Sequence, residues 1–555
     1  KTQLLQPLVP NLSMPGLALP TAALRSKGGS TSPAAVSPAK TLPGTLLPLT
    51  GAVSPGSNCS SPEKPLISPS INLKALIPDH VDEDIFDRYD FGEAGPLGAG
   101  GYGSVYLAKD RTHRGRMVAV KKAMMMDGDM RENFQQEVGI MKELDHPNIC
   151  TVYESYDHGR HVYLVMEYCA GGDLFDYILK HNGLPEPDVI EILRQVTSAL
   201  KHAHDKGIAH RDLKPENVCF ADDSNVDIHV KVIDWGLGFY FKRAHMKTCV
   251  GTSAYAAPEV QQPVKGTYTN ACDLWSLGAM ACVMLTGEPP FFGARPDEES
   301  AGPTVTSGAA WEAISGEARS WVASLLRWTP AERLSAEEVL NHPWLTKHAD
   351  TSNPRSSMAS QQVLANLHRF SNTSTFLSLC AASVAQQLSR KGLKELQTVF
   401  QELDTNGDGM LQLHEVQSGF EKMFGAGSAP LAEINDMFRR LDIDGSGAID
   451  YTEFLAAGLG NRVNNEVDAL WAAFKAFDVQ ESDGNVTQAE IAQVLYEAGA
   501  GQTWSREKCE ELAKEVVEQF DRDGNGSLDF DEWLLMMKRH EDPEQSAECH
   551  RRVSL

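Results

Sequence analysis

At 555 residues the chain is too long for a single hydrophobic core, so two or more domains are expected. A hydrophobic share of 42% and a charged share of 23% are those of soluble globular protein, and a net charge of −25 argues against general nucleic-acid binding. The ten cysteines contain no C-x-x-C pair, so they read as reduced, intracellular thiols rather than a zinc site or a disulfide framework. The best apolar run, "FLSLCAASVA" from Phe376, is broken by Ser and falls short of a bilayer span.

Residues 1–80 are rich in Pro, Ser, Gly and Ala and are expected to be disordered, because they cannot offset their ordering entropy. Ser-Pro pairs at Ser32, Ser37, Ser54, Ser61 and Ser68 are candidates for proline-directed phosphorylation; plain linker composition explains them equally well. The chain starts at Lys1, so an earlier N-terminal stretch is expected, and an acylation signal there is neither read nor excluded. From Tyr89 the β-type runs "GSVYLA", "MVAVKK" and "HVYLVMEY" give way, after Gly172, to helical periods such as "PDVIEILRQVTSALKHAH". That order predicts a two-lobed unit over 89–345, followed by a junction over 346–393. Four helix–loop–helix units follow over 394–541, ahead of a tail over 542–555. Their loops open at Asp404, Asp442, Asp478 and Asp521, about forty residues apart. The expected class is α+β, a two-lobed domain followed by an all-α one.

"GAGGYGSV" sets Gly98, Gly100 and Gly103 in a G-x-G-x-x-G pattern between two strands, where bare backbone can approach phosphate oxygens. Alone, the pattern is as often a turn. The β-type "SVYLAK" after it argues against a dinucleotide fold, which needs a helix there. "VAVKK" then places Lys121 on the next strand. "HRDLKPEN" supplies Asp212, Lys214 and Asn217, and "VIDWGLG" supplies Asp234. "AAPE" ends at Glu259 and "DLWSLG" starts at Asp273.

With these motifs in this order, residues 89–345 resemble the eukaryotic protein kinases. The resemblance implies a nucleotide site lined by Leu97, Gly98, Gly100, Gly103, Val105 and Ala119, with Met166 as gatekeeper and Glu167 to Cys169 as hinge. Lys121 would hold the α/β-phosphates and pair with Glu137, while Asn217 and Asp234 would ligate magnesium. Asp212 would orient the substrate hydroxyl and Lys214 steady the transferring phosphate. Asp173 and Glu216 match acidic positions that receive a basic residue upstream of the phosphosite; a ribose contact for Asp173 and plain surface charge for Glu216 are the alternatives. Three departures stand out. Trp235 replaces the usual Phe and, being larger, is expected to bias the inactive packing while leaving the metal carboxylate of Asp234 in place. Thr248 stands where related kinases often carry an acid, with Arg211 able to pair with a phosphate on it; an unmodified loop Thr is the equal alternative. "GARPDEESAGPTVTSGAAWEAIS" replaces a helix of the substrate-docking surface.

An EF-hand loop needs oxygen ligands at positions 1, 3, 5, 7, 9 and 12 and glycine at 6. "DTNGDGMLQLHE" offers Asp404, Asn406, Asp408, the Met410 carbonyl, Gln412 and Glu415 around Gly409. The second loop offers Asp442, Asp444, Ser446, the Ala448 carbonyl, Asp450 and Glu453 around Gly447. The fourth offers Asp521, Asp523, Asn525, the Ser527 carbonyl, Asp529 and Glu532 around Gly526. Leu411, Ile449 and Leu528 take position 8, where paired loops bridge. From Asp478 to Glu490 the third loop has one residue too many, and counting back from Gly484 puts Val479 first. Either a bulge recovers Asp478, or calcium binds weakly or not at all; the second is favoured.

A kinase followed by four EF-hand units resembles the calcium-dependent protein kinase family over roughly residues 89–540. That implies a serine/threonine kinase using ATP, Mg2+ and Ca2+, monomeric and cytoplasmic, with no separate calmodulin. Its expected partners are protein substrates with Ser or Thr near basic residues, and no nucleic acid; membrane association is not readable. "VLANLHRF" resembles the start of that family's inhibitory junction, with Val363, Leu364, Leu367 and Phe370 at helical spacing. Only Arg355, His368 and Arg369 supply positive charge there, so steric blocking of the substrate face is expected rather than mimicry of a substrate. Calcium would open the EF-hand pairs and draw the junction away. The rival reading is a calcium-responsive scaffold with an inactive kinase fold. Against it, Lys121, Glu137, Asp212, Asn217 and Asp234 are all present.

Overall fold

The computed structural model describes residues 76–93, 95–100, 103–112, 115–126, 128–223, 228–243, 245–261, 268–288, 309–346, 357–371, 373–388, 390–425, 433–460, 466–478, 483–498 and 505–539. The five Ser-Pro pairs, Arg355, Val479 and the tail over 542–555 lie outside them.

Period-2 alternation builds the first lobe. Seven strands form one sheet: β1 (Asp79–Val81), β2 (Tyr89–Asp90), β3 (Gly98–Gly100), β4 (Gly103–Asp110), β5 (Met117–Met124), β6 (Val152–His158) and β7 (His161–Glu167). Their order is β1-β6-β7-β5-β4-β2, with β3 paired to β4. Val118 and Val120 of β5 and Tyr163 and Val165 of β7 bury on one face with Tyr89 and Tyr153. The residues between them, Ala119, Ala123, Leu164 and Met166, face the other way onto Phe134, Val138 and Met141 of α1 (Gly128–Glu143).

A strand ahead of residue 89 also joins the sheet. β1 pairs parallel with β6, and Asp79 bonds Lys142 of α1 at 2.8 Å. Its "DHV" carries no apolar alternation, so backbone pairing rather than side-chain pattern makes it a strand. Leu76, just before it, is buried in the EF-hand core.

The large lobe is helical: α2 (Leu174–His181), α3 (Glu186–Asp205), α4 (Ala271–Thr286) and α5 (Gly316–Leu325). α3 buries Val189, Ile192, Leu193, Val196 and Leu200, one helical stripe. α4 is buried continuously from Cys272 to Leu285, as a helix apolar all round must be. Most of the Gly/Ala/Ser-rich replacement stretch lies outside the described residues; at its end Ala309–Ala313 forms a short helix with no buried residue.

Two junction helices follow, α6 (Ser357–Phe370) and α7 (Thr375–Gln387), then the EF-hand helices. These are α8 (Arg390–Leu403), α9 (Leu413–Phe424), α10 (Ile434–Leu441), α11 (Tyr451–Leu459), α12 (Val467–Phe477), α13 (Gln488–Ala498), α14 (Arg506–Phe520) and α15 (Phe530–Arg539). Short antiparallel pairs also lie outside the large sheet, one of them in the large lobe, β8 (Val218–Phe220) with β9 (Val230–Val232). Another joins the third and fourth EF-hand loops, β10 (Val486–Thr487) with β11 (Ser527–Leu528).

The junction does not lie on the substrate face. Val363, Leu364 and Leu367 are buried in one core with Leu396, Phe400, Phe420, Phe438 and Phe454 of the first EF-hand pair. α7 continues the core to the second pair, where Phe376 meets Phe477 and Trp533 at ring distances of 5.8 and 6.2 Å. The helix that the spacing predicts is present, and its apolar stripe packs into the EF-hand core. The EF-hand unit then docks on the rear of the kinase. Arg116 donates to the Gln387 carbonyl at 3.0 Å, the Thr452 amide donates to Asp145 at 2.8 Å, and Gln397 meets His229 at 2.6 Å.

Candidate active site and calcium loops

The β-ladders bring the nucleotide residues together. Val105 lies opposite Lys121, and Ala119 opposite Met166. Gly98 pairs with Val105 and Gly100 with Gly103, closing the glycine hairpin, while the Leu97 amide donates to Val105 at 2.7 Å. Gly103 has φ of 133°, and a Cβ there would come within 2.4 Å of the Lys122 carbonyl oxygen, so only glycine fits. Its tip, Gly101 and Tyr102, lies outside the described residues.

Lys121 reaches Glu137 of α1 at 2.5 Å and Asp234 at 2.9 Å. Burial pulls the Lys121 ammonium down, and the two carboxylates more than reverse that, so its pKa is raised and it stays charged. Burial also opposes the Asp234 carboxylate, and Lys121 overcomes it and lowers the pKa. The Asp234 carboxylate stays in place beside Trp235, as expected. The Trp235 side chain is fully buried, with its ring 4.6 Å from that of His210, and Asp234 still faces Lys121.

Asp212 is held from three directions. Its Oδ2 pairs with Lys214 at 2.8 Å, and its Oδ1 accepts from the Thr252 amide and hydroxyl at 2.7 and 2.8 Å. Asn217 donates to the Asp212 carbonyl at 2.8 Å. Buried Asp273 fixes the loop from behind, accepting from His204 at 2.8 Å and from the amides of His210 and Arg211 at 2.9 and 2.8 Å. Arg211 reaches the Thr248 hydroxyl at 3.2 Å. Asp173 caps α2 by accepting from the Asp176 amide at 2.8 Å, and Glu216 is exposed. Asp234 and Asn217 present oxygen ligands of the kind a hard divalent cation takes.

In the first loop Glu415 accepts from the Thr405, Asn406 and Gln412 amides, and Gly409 donates to Asp404 at 2.9 Å. The second and fourth loops repeat this: Gly447 donates to Asp442 at 3.0 Å and Gly526 to Asp521 at 2.8 Å. Leu411 bridges Ile449, and Leu528 pairs with Val486. Asp442, Asp444 and Glu453 gather their carboxylate oxygens within 4.8 Å, as do Asp521, Asp523 and Glu532. Asp408 of the first loop instead turns towards Lys201 of α3, 3.7 Å away. In the third loop Gly484 donates to Asp478 at 3.1 Å, so Asp478 regains the head of the turn. It is, however, ion-paired to Lys475.

The protein kinase domain family matches residues 91–345, an EF-hand domain pair matches 393–457, and a single EF hand matches 514–537. Calcium-dependent protein kinase 3 of Plasmodium berghei is 36% identical over 462 residues, covering 81% of this chain and 80% of that protein. Calcium-dependent protein kinase 5 of Plasmodium falciparum is 33% identical over 491 residues, covering 86% and 84%. Calcium-dependent protein kinase 19 of Arabidopsis thaliana is 31% identical over 474 residues, covering 84% and 82%.

The chain belongs to the calcium-dependent protein kinase family. It is a protein kinase, its kinase domain implies ATP and a divalent metal, and its EF-hands imply Ca2+. The loops of this kinase carry charge that suits a divalent cation. Burial pushes Asp404 up to about 7 and Asp442 up to about 6, partly offset by amide donors and increased by neighbouring carboxylates. Burial and Asp145 raise Asp450, and burial and Asp450 raise Glu453. A calcium ion held among these oxygens would offset that penalty by favouring their charged forms.

Sequence reasoning missed Thr252 and the role of Asp273. Thr252 follows Gly251 in "GTSAYAAPE" and carries a hydroxyl, which is all the signal there was. It also missed the rear interface, where Lys201, His146 and Leu340 meet the first calcium loop. A Cβ on Gly409, at φ 75°, would collide with the His146 ring, so this glycine is needed for docking as well as for the turn.

Proposed function

We propose that this protein is a calcium-activated serine/threonine kinase that transfers the γ-phosphate of Mg2+-ATP to protein hydroxyls. The observation that carries the reading is the joined network of Lys121, Glu137 and Asp234 beside Asp212, Lys214, Asn217 and Thr252. Lys121 would hold the α- and β-phosphates, while Asn217 and Asp234 would hold magnesium, which would neutralise phosphate charge. Asp212 takes or orients the hydroxyl proton as the substrate oxygen bonds to the γ-phosphorus, the bond to the β–γ bridging oxygen breaks, and ADP leaves. Lys214 balances charge on the moving phosphoryl group. Asp173 and Glu216 favour a basic residue upstream of the target.

Regulation follows from where α6 sits. In the arrangement described, its apolar face is covered by EF-hand residues, which leaves the catalytic loop unobstructed by Val363, Leu364 or Leu367. Calcium favours this state because opened EF-hand pairs bind the junction more tightly; without calcium the junction returns to the substrate side. The enzyme works as a monomer in the cytoplasm, with its own EF-hands in place of a separate calmodulin. The third loop contributes little calcium binding, because Lys475 competes for Asp478. The scaffold reading loses its main support, since Trp235 leaves the Lys121–Asp234 pair in place.

The test is phosphate transfer to a basic peptide with Mg2+-ATP, with calcium or with chelator. Calcium-dependent turnover that Asp212→Asn abolishes is expected. No turnover in either condition, even with Thr248 phosphorylated, would overturn the enzyme reading; turnover indifferent to calcium would overturn the regulation alone.

A further inference from the structure

The first calcium loop does not stand free of the enzyme. Its backbone lies directly on the kinase lobe: a Cβ on Gly409 would collide with the His146 ring, and one on Gly407 would touch Leu340 at 3.5 Å. That wall is braced from behind. The His146 ring meets the Ser198 hydroxyl at 2.9 Å through Nε2, and its Nδ1 accepts from the Asn148 amide at 2.9 Å. Ser198 belongs to α3, and Lys201 stands almost one turn further along the same helix. The Lys201 ammonium is tethered to Asp205 at 2.8 Å and lies 3.7 Å from Oδ2 of Asp408, the fifth residue of the loop. Both side chains are largely shielded from water, at 12% and 10% exposure.

Oδ2 of Asp408 has several suitors. It also accepts from Asn406 at 2.9 Å and from Gln412 at 3.5 Å, while Oδ1 accepts from the Met410 amide at 3.0 Å. The second and fourth loops each gather three carboxylates with oxygens within 4.8 Å of one another. The first loop's acids, Asp404, Asp408 and Glu415, form no such group among the described residues. The third loop carries its competing cation itself, because Lys475 sits three residues before Asp478. Lys201 is different. It belongs to the kinase lobe, so it faces Asp408 only while the EF-hand unit is docked.

We propose that Lys201 sets the calcium affinity of the first EF-hand loop, its ammonium opposing a divalent cation at Asp408 whenever the kinase and EF-hand units are docked. Undocked, Asp408 is released from that charge and the loop binds calcium more tightly. One positive charge beside a divalent-cation site, screened by water and salt, lowers affinity about fivefold. Linkage makes the effect reciprocal, so calcium in this loop loosens docking by the same factor. The first loop thus restrains docking as it fills, by the share that Lys201 contributes. The inference rests on the reading of residues 404–415 as a calcium site, and it needs no kinase activity.

The experiment is calorimetric titration of the full chain with calcium. Lys201→Met keeps the alkyl stem and removes the charge; one calcium dissociation constant should fall about fivefold, with the number of ions unchanged. Lys201→Gln should repeat the shift, so the result does not hang on one variant's folding. Lys201→Arg keeps the charge and should titrate like the unmodified protein. Glu415→Gln removes the bidentate oxygen of the first loop, and adding Lys201→Met to it should change none of the remaining constants. Unchanged constants in both neutral variants overturn the proposal. Weaker binding also overturns it, because that is the result expected of a lysine that only supports docking. A shift that persists in the Glu415→Gln protein overturns it as well, since it arises at another loop. Calcium uptake without any response to Lys201 sinks this proposal alone, whereas no uptake by the unmodified protein sinks the calcium reading and the proposal together. Turnover indifferent to calcium would remove the proposed regulation and leave the titration standing.

Discussion

Leu364→Ala combined with Leu367→Ala tests whether the EF-hand core is what holds the junction. Both leucines are completely buried there, packed with Leu396, Phe400 and Phe454. A buried Leu→Ala change costs about 3 kcal/mol, the lost transfer energy plus the cavity left behind. Suppose the pair together weakens the seated state by only about 3 kcal/mol, because the unseated junction also finds partial cover. Spread over three calcium-binding loops, that is about 1 kcal/mol per ion, so the half-activating free calcium should rise about fivefold. The assay is peptide phosphorylation against buffered free calcium, with calcium uptake measured in parallel by calorimetry. Both curves should move to higher calcium together, since linkage is reciprocal for binding. Superimposable activity curves would refute the reasoning. Full activity in chelator would instead assign these leucines to the inhibitory contact.

Three further outcomes follow from the ion pairs and loops. Glu137→Gln breaks the buried Lys121 pair; kcat/KM for ATP should fall by at least tenfold, with peptide affinity little changed, and equal losses for both substrates would count against a nucleotide role. Glu453→Gln and Glu532→Gln each remove a loop's bidentate oxygen, so calorimetry should show one calcium fewer in each case; an unchanged count would exclude that loop. Burial works against the Glu154 carboxylate, but Arg88 at 2.6 Å and His80 hold its pKa down to about 2. A depressed carboxyl stabilises above its unfolded pKa, so about 3 kcal/mol present at neutral pH should fade between about pH 5 and 2. The Tm gap between the protein and Glu154→Gln should close over that range, and a gap constant with pH would defeat the assignment.

The chemical residues were legible because phosphate and calcium chemistry fix residue types at short spacings. "HRDLKPEN" brings Asp212, Lys214 and Asn217 within one turn, and the structure joins them by hydrogen bonds of about the same length. Each calcium loop is likewise a twelve-residue problem, except the third, where an extra residue left two registers open and Gly484 chose Asp478. Thr252 was invisible because a threonine in a loop reads as ordinary punctuation until a fold brings it forty positions back to Asp212. The rear interface was invisible for the same reason on a larger scale: Arg116 and Gln387 are 271 residues apart, and Asp145 and Thr452 are 307 apart. β1 escaped because its backbone, not its side chains, earns its place in the sheet. How Trp235 packs was not legible either, because its size says nothing of the room available beside His210.

How much switching energy can the rear interface carry? Moving a two-state equilibrium from 1:99 to 99:1 takes about 5.5 kcal/mol. The three docking hydrogen bonds of Arg116, Thr452 and Gln397 contribute about 1 kcal/mol each after exchange with water. The Lys201–Asp408 approach is long and adds about 0.5 kcal/mol. Burying Leu76 in the EF-hand core adds about 2 kcal/mol. These terms reach the required size only together, so no single contact is the switch. Leu76 is also continuous with Ile77, whose carbonyl accepts from Lys142 at 2.8 Å on the same helix that presents Glu137 to Lys121. The EF-hand core and the helix that presents Glu137 to Lys121 are thus tied to one short stretch of chain, Leu76 and Ile77.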